Sequence, residues 1–310
     1  MKKSSFVIFL FVFFLSINNI MAQANLLNAR VPQEVGKLND QQIVANDEDP
    51  LPYGFIDDRD VLWSKTIWEK IDLDERINFP YYFPSEAGNL GEERRSLFDV
   101  LIQGIEEGKI KEVYFDDGGY FRTKLTYQQV LEKLNFVFDT PQYTEAINSG
   151  VTDPEILAEY QVPVETTSAD VLEYRIKGTW YFDKRQGEMK YRLLGIAPCA
   201  TDLQFKNPDP SAAPPGDPNE TYPLFWVWFP DAREVLNEAY VFNTRNSSQP
   251  IAFDHMLNSR RFNAVIYKEE NVYQDRKVDE YIYEDALQQL LESERIKSVI
   301  RDFEQDMWSN

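Results

Sequence analysis

The sequence predicts an α+β fold: helices mixed with antiparallel β-hairpins, in two similar-looking halves, closed by a long C-terminal amphipathic helix. Three stretches carry that expectation. Leu224 to Phe229 is an apolar run containing Trp226 and Trp228, short and aromatic as a buried strand is, and a helical pattern follows through Val235, Leu236 and Ala239. Ile110 to Phe115 and Tyr120 to Leu125 flank Asp116-Asp117-Gly118-Gly119, the composition of a hairpin turn. Ile296, Ile300, Phe303 and Met307 continue an apolar stripe along a helix from about Asp285 to Trp308, with Ser293 as a point of division.

The remaining elements follow in order. Asp60 caps a helix from Val61 to about Leu73, whose face is Trp63, Ile67 and Ile71, recurring every four residues, with Trp68 beside them. Pro80 and Pro84 exclude a helix from Ile77 to Pro84. Glu92 to Glu107 is a helix burying Phe98, Leu101, Ile102 and Ile105, and Gly108 ends it. Thr126 and Gln129 form a capping box for a helix through Val130, Leu131 and Leu134. Strands follow at Tyr174 to Phe182 and Met189 to Ile196, joined by a turn at Asp183 to Gly187; Asn207 to Pro223, with six prolines, is a stiff loop. Pro230 stops the Leu224 strand, and Asp231 with Glu234 makes a second capping box. A short helical turn at Phe253 to Leu257 and a strand at Phe262 to Tyr267 precede the last helix. The two halves share a pattern: IKEVYFD (Ile110 to Asp116) ending in LNFVFDT, and IKGTWYFD (Ile176 to Asp183) ending in EAYVFNT.

The organisation expected is a signal peptide at 1–22, an arm at 23–52, an N-terminal α/β subdomain at 53–140, a linker at 141–170 and a C-terminal α+β subdomain at 171–310. Lys2 and Lys3 precede an apolar Phe6 to Ile17, too short to span a membrane, and Ala22 precedes the cut. No cysteine stands at the cut, so no lipid anchor is expected there. The arm is polar and proline-punctuated, suited to order on a neighbouring subunit or to serve as a spacer. The formal charge of −20 opposes nucleic acid and anionic lipid.

Little catalytic chemistry is legible. His255 is the only histidine and Cys199 the only cysteine, so multi-histidine metal sites and intrachain disulfides are out of reach. His255 lies beside Asp254, but no G-x-S-x-G motif supplies a nucleophile. Gly104-x-x-x-Gly108-Lys109 is one residue short of a phosphate loop, ends in Ile110 where Ser or Thr is needed, and sits at a helix C-terminus, whose dipole repels phosphate. Asp47 to Asp49 is broken by Pro50 and Pro52, Asp57, Asp58 and Asp60 lack the glycine and distal glutamate of a calcium loop, and Asp116 and Asp117 suit a turn. No catalytic, cofactor-binding or metal-binding residue is therefore expected, and no cofactor. Trp180, Trp226 and Trp228 read either as core or as the lining of a sugar groove beside two carboxylates, which keeps a periplasmic glycan-binding protein or glycoside hydrolase as an alternative.

Several stretches together resemble one family. Asp60 to Pro84 (DVLWSKTIWEKIDLDERINFPYYFP), Trp180 to Asp183, Leu193 to Pro198, Leu224 to Asn243 (LFWVWFPDAREVLNEAYVFN) and Leu290 to Trp308 are similar to the GldN/PorN family of gliding-motility and type IX secretion proteins. The resemblance implies a non-enzymatic periplasmic subunit. It further implies self-association in a ring with an outer-membrane lipoprotein, GldK/PorK, which holds the subunit at the outer membrane, and contact with the periplasmic domain of GldM/PorM. It carries over no functional residue.

Overall fold

The structure, a computed structural model, describes residues 50–85, 95–207, 214–241, 251–283 and 285–309. The signal peptide, the arm as far as residue 49, and the Asp47 to Asp49 cluster lie outside them. In chain order the elements are β1 (Val61–Asp72), α1 (Phe79–Tyr82), α2 (Leu97–Glu106), β2 (Val113–Tyr114), α3 (Tyr127–Leu134), β3 (Asn135–Asp139), α4 (Pro141–Asn148), α5 (Pro154–Ala158), β4 (Gln161–Glu165), β5 (Val171–Asp183), β6 (Glu188–Thr201), β7 (Thr221–Pro223), β8 (Trp226–Trp228), α6 (Phe229–Glu238), β9 (Tyr240–Val241), β10 (Ile251–Ala252), α7 (Phe253–Asn258), β11 (Val265–Glu269), α8 (Val278–Tyr281) and α9 (Ala286–Ser309). The class is α+β, as the sequence predicts, and every described strand pairing is antiparallel.

The main sheet runs β11-β1-β5-β6-β8-β2, with β7 also on β6. Its centre is the hairpin of β5 and β6, paired from Val171↔Ala200 to Asp183↔Glu188 with register shifts at Val171/Glu173 and Lys177/Gly178. The turn between them closes where Gly187 N–H donates to the Asp183 carbonyl at 2.7 Å, with Gly187 at φ 67°. One edge of β6 serves two strands: β7 pairs at Cys199 to Thr201 and β8 at Gly195 and Ile196.

The first correction concerns β1. The helix expected over Val61 to Leu73 is a strand paired from Val61 to Asp72 with β5 on one side, and over Ile67 to Lys70 with β11 on the other. An apolar residue every fourth position fits one helix face, but four is also two strand repeats, so the same spacing fits one face of a strand. Ile67 and Ile71 are buried, and Trp68, between them, is buried on the other face. Asp60 ends a short 3-10 turn, Asp58–Asp60, instead of capping a helix.

Local signals nearby meet mixed outcomes. Pro80 lies in the first turn of α1, where a missing N–H costs nothing, so Phe79–Tyr82 makes one helical turn despite the expected block. Helix α2 starts at Leu97, where Ser96 Oγ accepts from Asp99 N at 3.1 Å, and Gly108 at φ 68° ends it. The Thr126–Gln129 capping box is present at the start of α3. The expected linker, 141–170, instead holds α4, α5 and β4, and β4 folds back to pair with β3 from Asn135↔Glu165 to Asp139↔Gln161. Residues from Pro50 onward belong to one compact unit, and β1 of the expected first subdomain lies between β5 and β11 of the second. The two halves also diverge: IKEVYFD yields only the two-residue edge strand β2, whereas IKGTWYFD lies in the thirteen-residue central strand β5.

The strand-to-helix unit at Leu224 forms as expected in outline, with β8 reduced to Trp226–Trp228. Its cap differs. Helix α6 begins at Phe229 with Pro230 in the first turn, and Trp228 occupies the cap without a side-chain bond. Asp231 Oδ2 instead accepts from the backbone amides of Lys111 at 2.6 Å and Glu112 at 2.9 Å. The aspartate thus ties the chain leaving α2 to α6, satisfying two amides that precede β2. Asp231→Ala should cost about 1–2 kcal/mol in chemical denaturation, and Glu234→Ala, at an exposed position, less than about 0.5 kcal/mol. Equal losses would restore the capping box.

Helix α9 runs unbroken through Ser293, which is fully buried. Its Oγ accepts from the Ile266 amide of β11 at 2.8 Å, so the serine satisfies a strand amide instead of dividing the helix. The core lies mostly on one sheet face. There Leu97, Leu101 and Ile105 of α2, Phe229, Ala232 and Leu236 of α6, and Phe253 and Leu257 of α7 meet Ile71, Tyr174, Ile176 and Ile196 of the sheet. Ile296 and Ile300 of α9 extend that cover over Ile67 and Ile266.

Candidate functional site

Among the described residues, the most elaborate polar arrangement gathers on the opposite sheet face, under the loop 116–122. Asp117 draws the loop into a knot: its carboxylate accepts from the amides of Tyr120, Phe121 and Arg122, at 2.7, 3.2 and 2.9 Å. Asp116 Oδ1 accepts from Gly118 N and from Trp226 Nε1 at 3.0 Å. The expected Tyr120 to Leu125 strand is reduced to a single bridge, Tyr114↔Lys124, because the two aspartates hold the turn amides that a tight hairpin would leave free. Gly119, at φ 77°, packs against both tryptophans: a Cβ there would stand 2.9 Å from Trp68 Nε1 and 3.2 Å from the Trp226 ring.

Two lysines close the cluster. Lys177 Nζ donates to the Gly119 carbonyl at 2.8 Å and lies 4.7 Å from the Trp68 ring centroid. Lys268 Nζ lies 4.2 Å from the same ring and donates to Tyr120 Oη at 2.9 Å, and Tyr120 donates on to Asp275 Oδ2 at 2.6 Å. Burial lowers both ammonium groups below the ordinary lysine range. Burial acts upward on Asp275, yet the Tyr120 hydroxyl, the Asn271 amide and the two lysines outweigh it and hold its carboxyl below the usual range. The lysines are bound by hydrogen bonds and ring faces, so the arrangement fastens the loop to the sheet through β5 and β11.

Two ion pairs, each with a buried carboxylate, anchor the other face. Arg233 of α6 meets Asp254 of α7 in a two-point contact, 2.8 and 2.9 Å, with Tyr53 stacked beneath the guanidinium and donating to Asn258 Oδ1. Burial pushes the Tyr53 hydroxyl up to about 12. Arg260 meets Glu69 of β1 in the same manner, 2.8 and 2.7 Å, over the ring of Tyr191.

Among the described residues, those that the sequence singles out for possible chemistry lie apart from one another. Asp254 is engaged by Arg233, while His255 is exposed. Cys199 is fully buried in β6, where desolvation pushes its thiol far up, away from the reactive thiolate. Gly104 lies within α2 and Lys109 just beyond its end, pairing with Glu238 at 3.0 Å. Asp57 is bound by Arg59, and Asp60 faces Arg185 at 3.5 Å. Trp226 is fully buried, whereas Trp180 and Trp228 are only partly so, against Tyr191 and Phe121 respectively. Among the described residues, no three His, Cys, Asp or Glu side chains converge as a metal site, and no helix is long and apolar enough to cross a membrane. The loop cluster escapes sequence reading altogether: Tyr120, Lys177, Lys268 and Asp275 come together only through the pairing of β1 with β5 and β11.

A family model described as gliding motility associated protein GldN matches residues 56–309. The chain belongs to the GldN family. In this GldN-family chain the match takes in β1, the whole main sheet, the β8–α6 unit and α9 to its last residue. No curated protein matches the chain.

Proposed function

We propose that this GldN-family protein is a non-enzymatic structural subunit of the gliding and type IX secretion machinery. It is exported to the periplasm by the signal peptide at 1–22 and held at the outer membrane by a GldK/PorK-like lipoprotein, with which it self-associates in a ring. Through another surface it meets the periplasmic domain of a GldM/PorM-like protein. The family match over 56–309 carries the reading. The chemistry of the fold is consistent with it: Asp254, Glu69, Lys177 and Lys268 are committed to internal bonds that hold α6, α7 and the 116–122 loop to the sheet.

Co-expression with the lipoprotein followed by detergent extraction should recover the two in one large assembly; recovery of this chain alone would refute the partnership. His255→Ala combined with Cys199→Ala should leave secretion at the wild-type level when the protein accumulates normally. Loss of secretion at normal abundance would instead point to chemistry at one of these side chains.

A further inference from the structure

We propose that the first turns of α9, with the acidic segment leading into them, form a docking surface for a basic amphipathic helix of another protein. Helix α9 buries one stripe, Ser293, Ile296 and Ile300, against the sheet. Leu287, Leu290 and Leu291 stand at i, i+3 and i+4 on the other side, roughly 150° round at about 100° per residue. They are 64%, 44% and 54% exposed. A helix on a globular surface needs only one apolar face, and the described residues leave this second one exposed. Tyr283, one helical turn before Leu287 in sequence, is 79% exposed, and a shallow groove of about 320 Å³ is lined by Lys277, Asp279, Glu280, Tyr283 and Gln289.

Charge identifies the occupant. Residues 269–294 hold nine carboxylates against two basic side chains, Arg276 and Lys277. Among the described residues, Asp279, Glu280 and Asp285 have no ion-pair partner, whereas Glu292 and Glu294 are engaged by Arg295 and Lys297. A second copy of this face would bring like charges together. The chain's own residues 23–49 carry five carboxylates against Arg30 and Lys37, so they repel it as well. An apolar strip between carboxylates is complementary to an apolar strip between lysines or arginines. This inference extends the reading of the chain as an assembly subunit, but its test uses neither the lipoprotein nor secretion, so either can fail alone.

The purified chain should bind a labelled Leu–Lys amphipathic helical peptide, followed by fluorescence anisotropy, and binding should weaken with salt. Leu287→Ser with Leu291→Ser should weaken it about tenfold or more, and Asp279→Asn with Glu280→Gln should weaken it several-fold and flatten the salt dependence. Phe136→Ser with Val137→Ser, at exposed positions of β3, should leave binding unchanged. In the wild-type protein, where no substitution disturbs folding, the peptide should slow amide hydrogen exchange over 286–291. Equal binding by the Leu287/Leu291 double variant, equal binding of a Leu–Glu peptide, or unchanged exchange over 286–291 would overturn the proposal. So would a dimer of the free protein that the double variant converts to monomer.

Discussion

Arg260→Met should destabilise the protein by about 3–5 kcal/mol, the usual cost of stranding one member of a buried ion pair. Glu69 is 1% exposed in the middle of β1, between strands on both sides. Arg260 meets both its carboxylate oxygens, and the next donor, Tyr191 Oη, is 3.4 Å away. Without the guanidinium the carboxylate stays charged in an apolar surrounding or takes up a proton, and both cost stability. Urea denaturation measures the loss. The double variant Glu69→Gln, Arg260→Met should recover much of it, because a neutral amide is easier to bury than an unpaired charge. If the single variant loses less than about 1 kcal/mol, water reaches Glu69 and the pair is not an anchor.

Trp226→Ala is expected to cost about 3–5 kcal/mol. The ring is fully buried among Trp68, Ala197 and Phe121, and its Nε1 holds Asp116. Removing it leaves a cavity under the 116–122 loop and frees an aspartate that helps tie the loop. Trp228→Ala should cost less, about 1–2 kcal/mol, since its ring is only partly buried. Thermal or urea unfolding of the pair decides it: equal costs would mean that burial does not rank the two tryptophans. Trp226→Phe separates the contributions, restoring most of the apolar contact while leaving Asp116 without its indole donor.

The sequence by itself determined the α+β class, the Thr126 cap, the strand-to-helix step after Trp228, the β5–β6 hairpin and the long last helix. Each of these rests on signals within a few residues: a hydroxyl three residues before a glutamine, a proline after an aromatic run, a glycine able to take positive φ. The resemblance of Asp60 to Pro84, Leu224 to Asn243 and Leu290 to Trp308 also pointed to the family, because linear stretches carry it. Tertiary structure decided the rest. Four-residue spacing in Val61 to Leu73 is common to helix and strand, and only the presence of β5 and β11 on either side selects the strand. Asp231 satisfies the amides of Lys111 and Glu112 because the fold brings residues some 120 positions apart into contact. Ser293 looks like a break along the chain, yet its hydroxyl satisfies the Ile266 amide of β11. The Lys177–Trp68–Lys268 cluster and the second leucine stripe of α9 have the same origin. Which side chains are covered depends on strands and helices distant in sequence, and local patterns do not encode that.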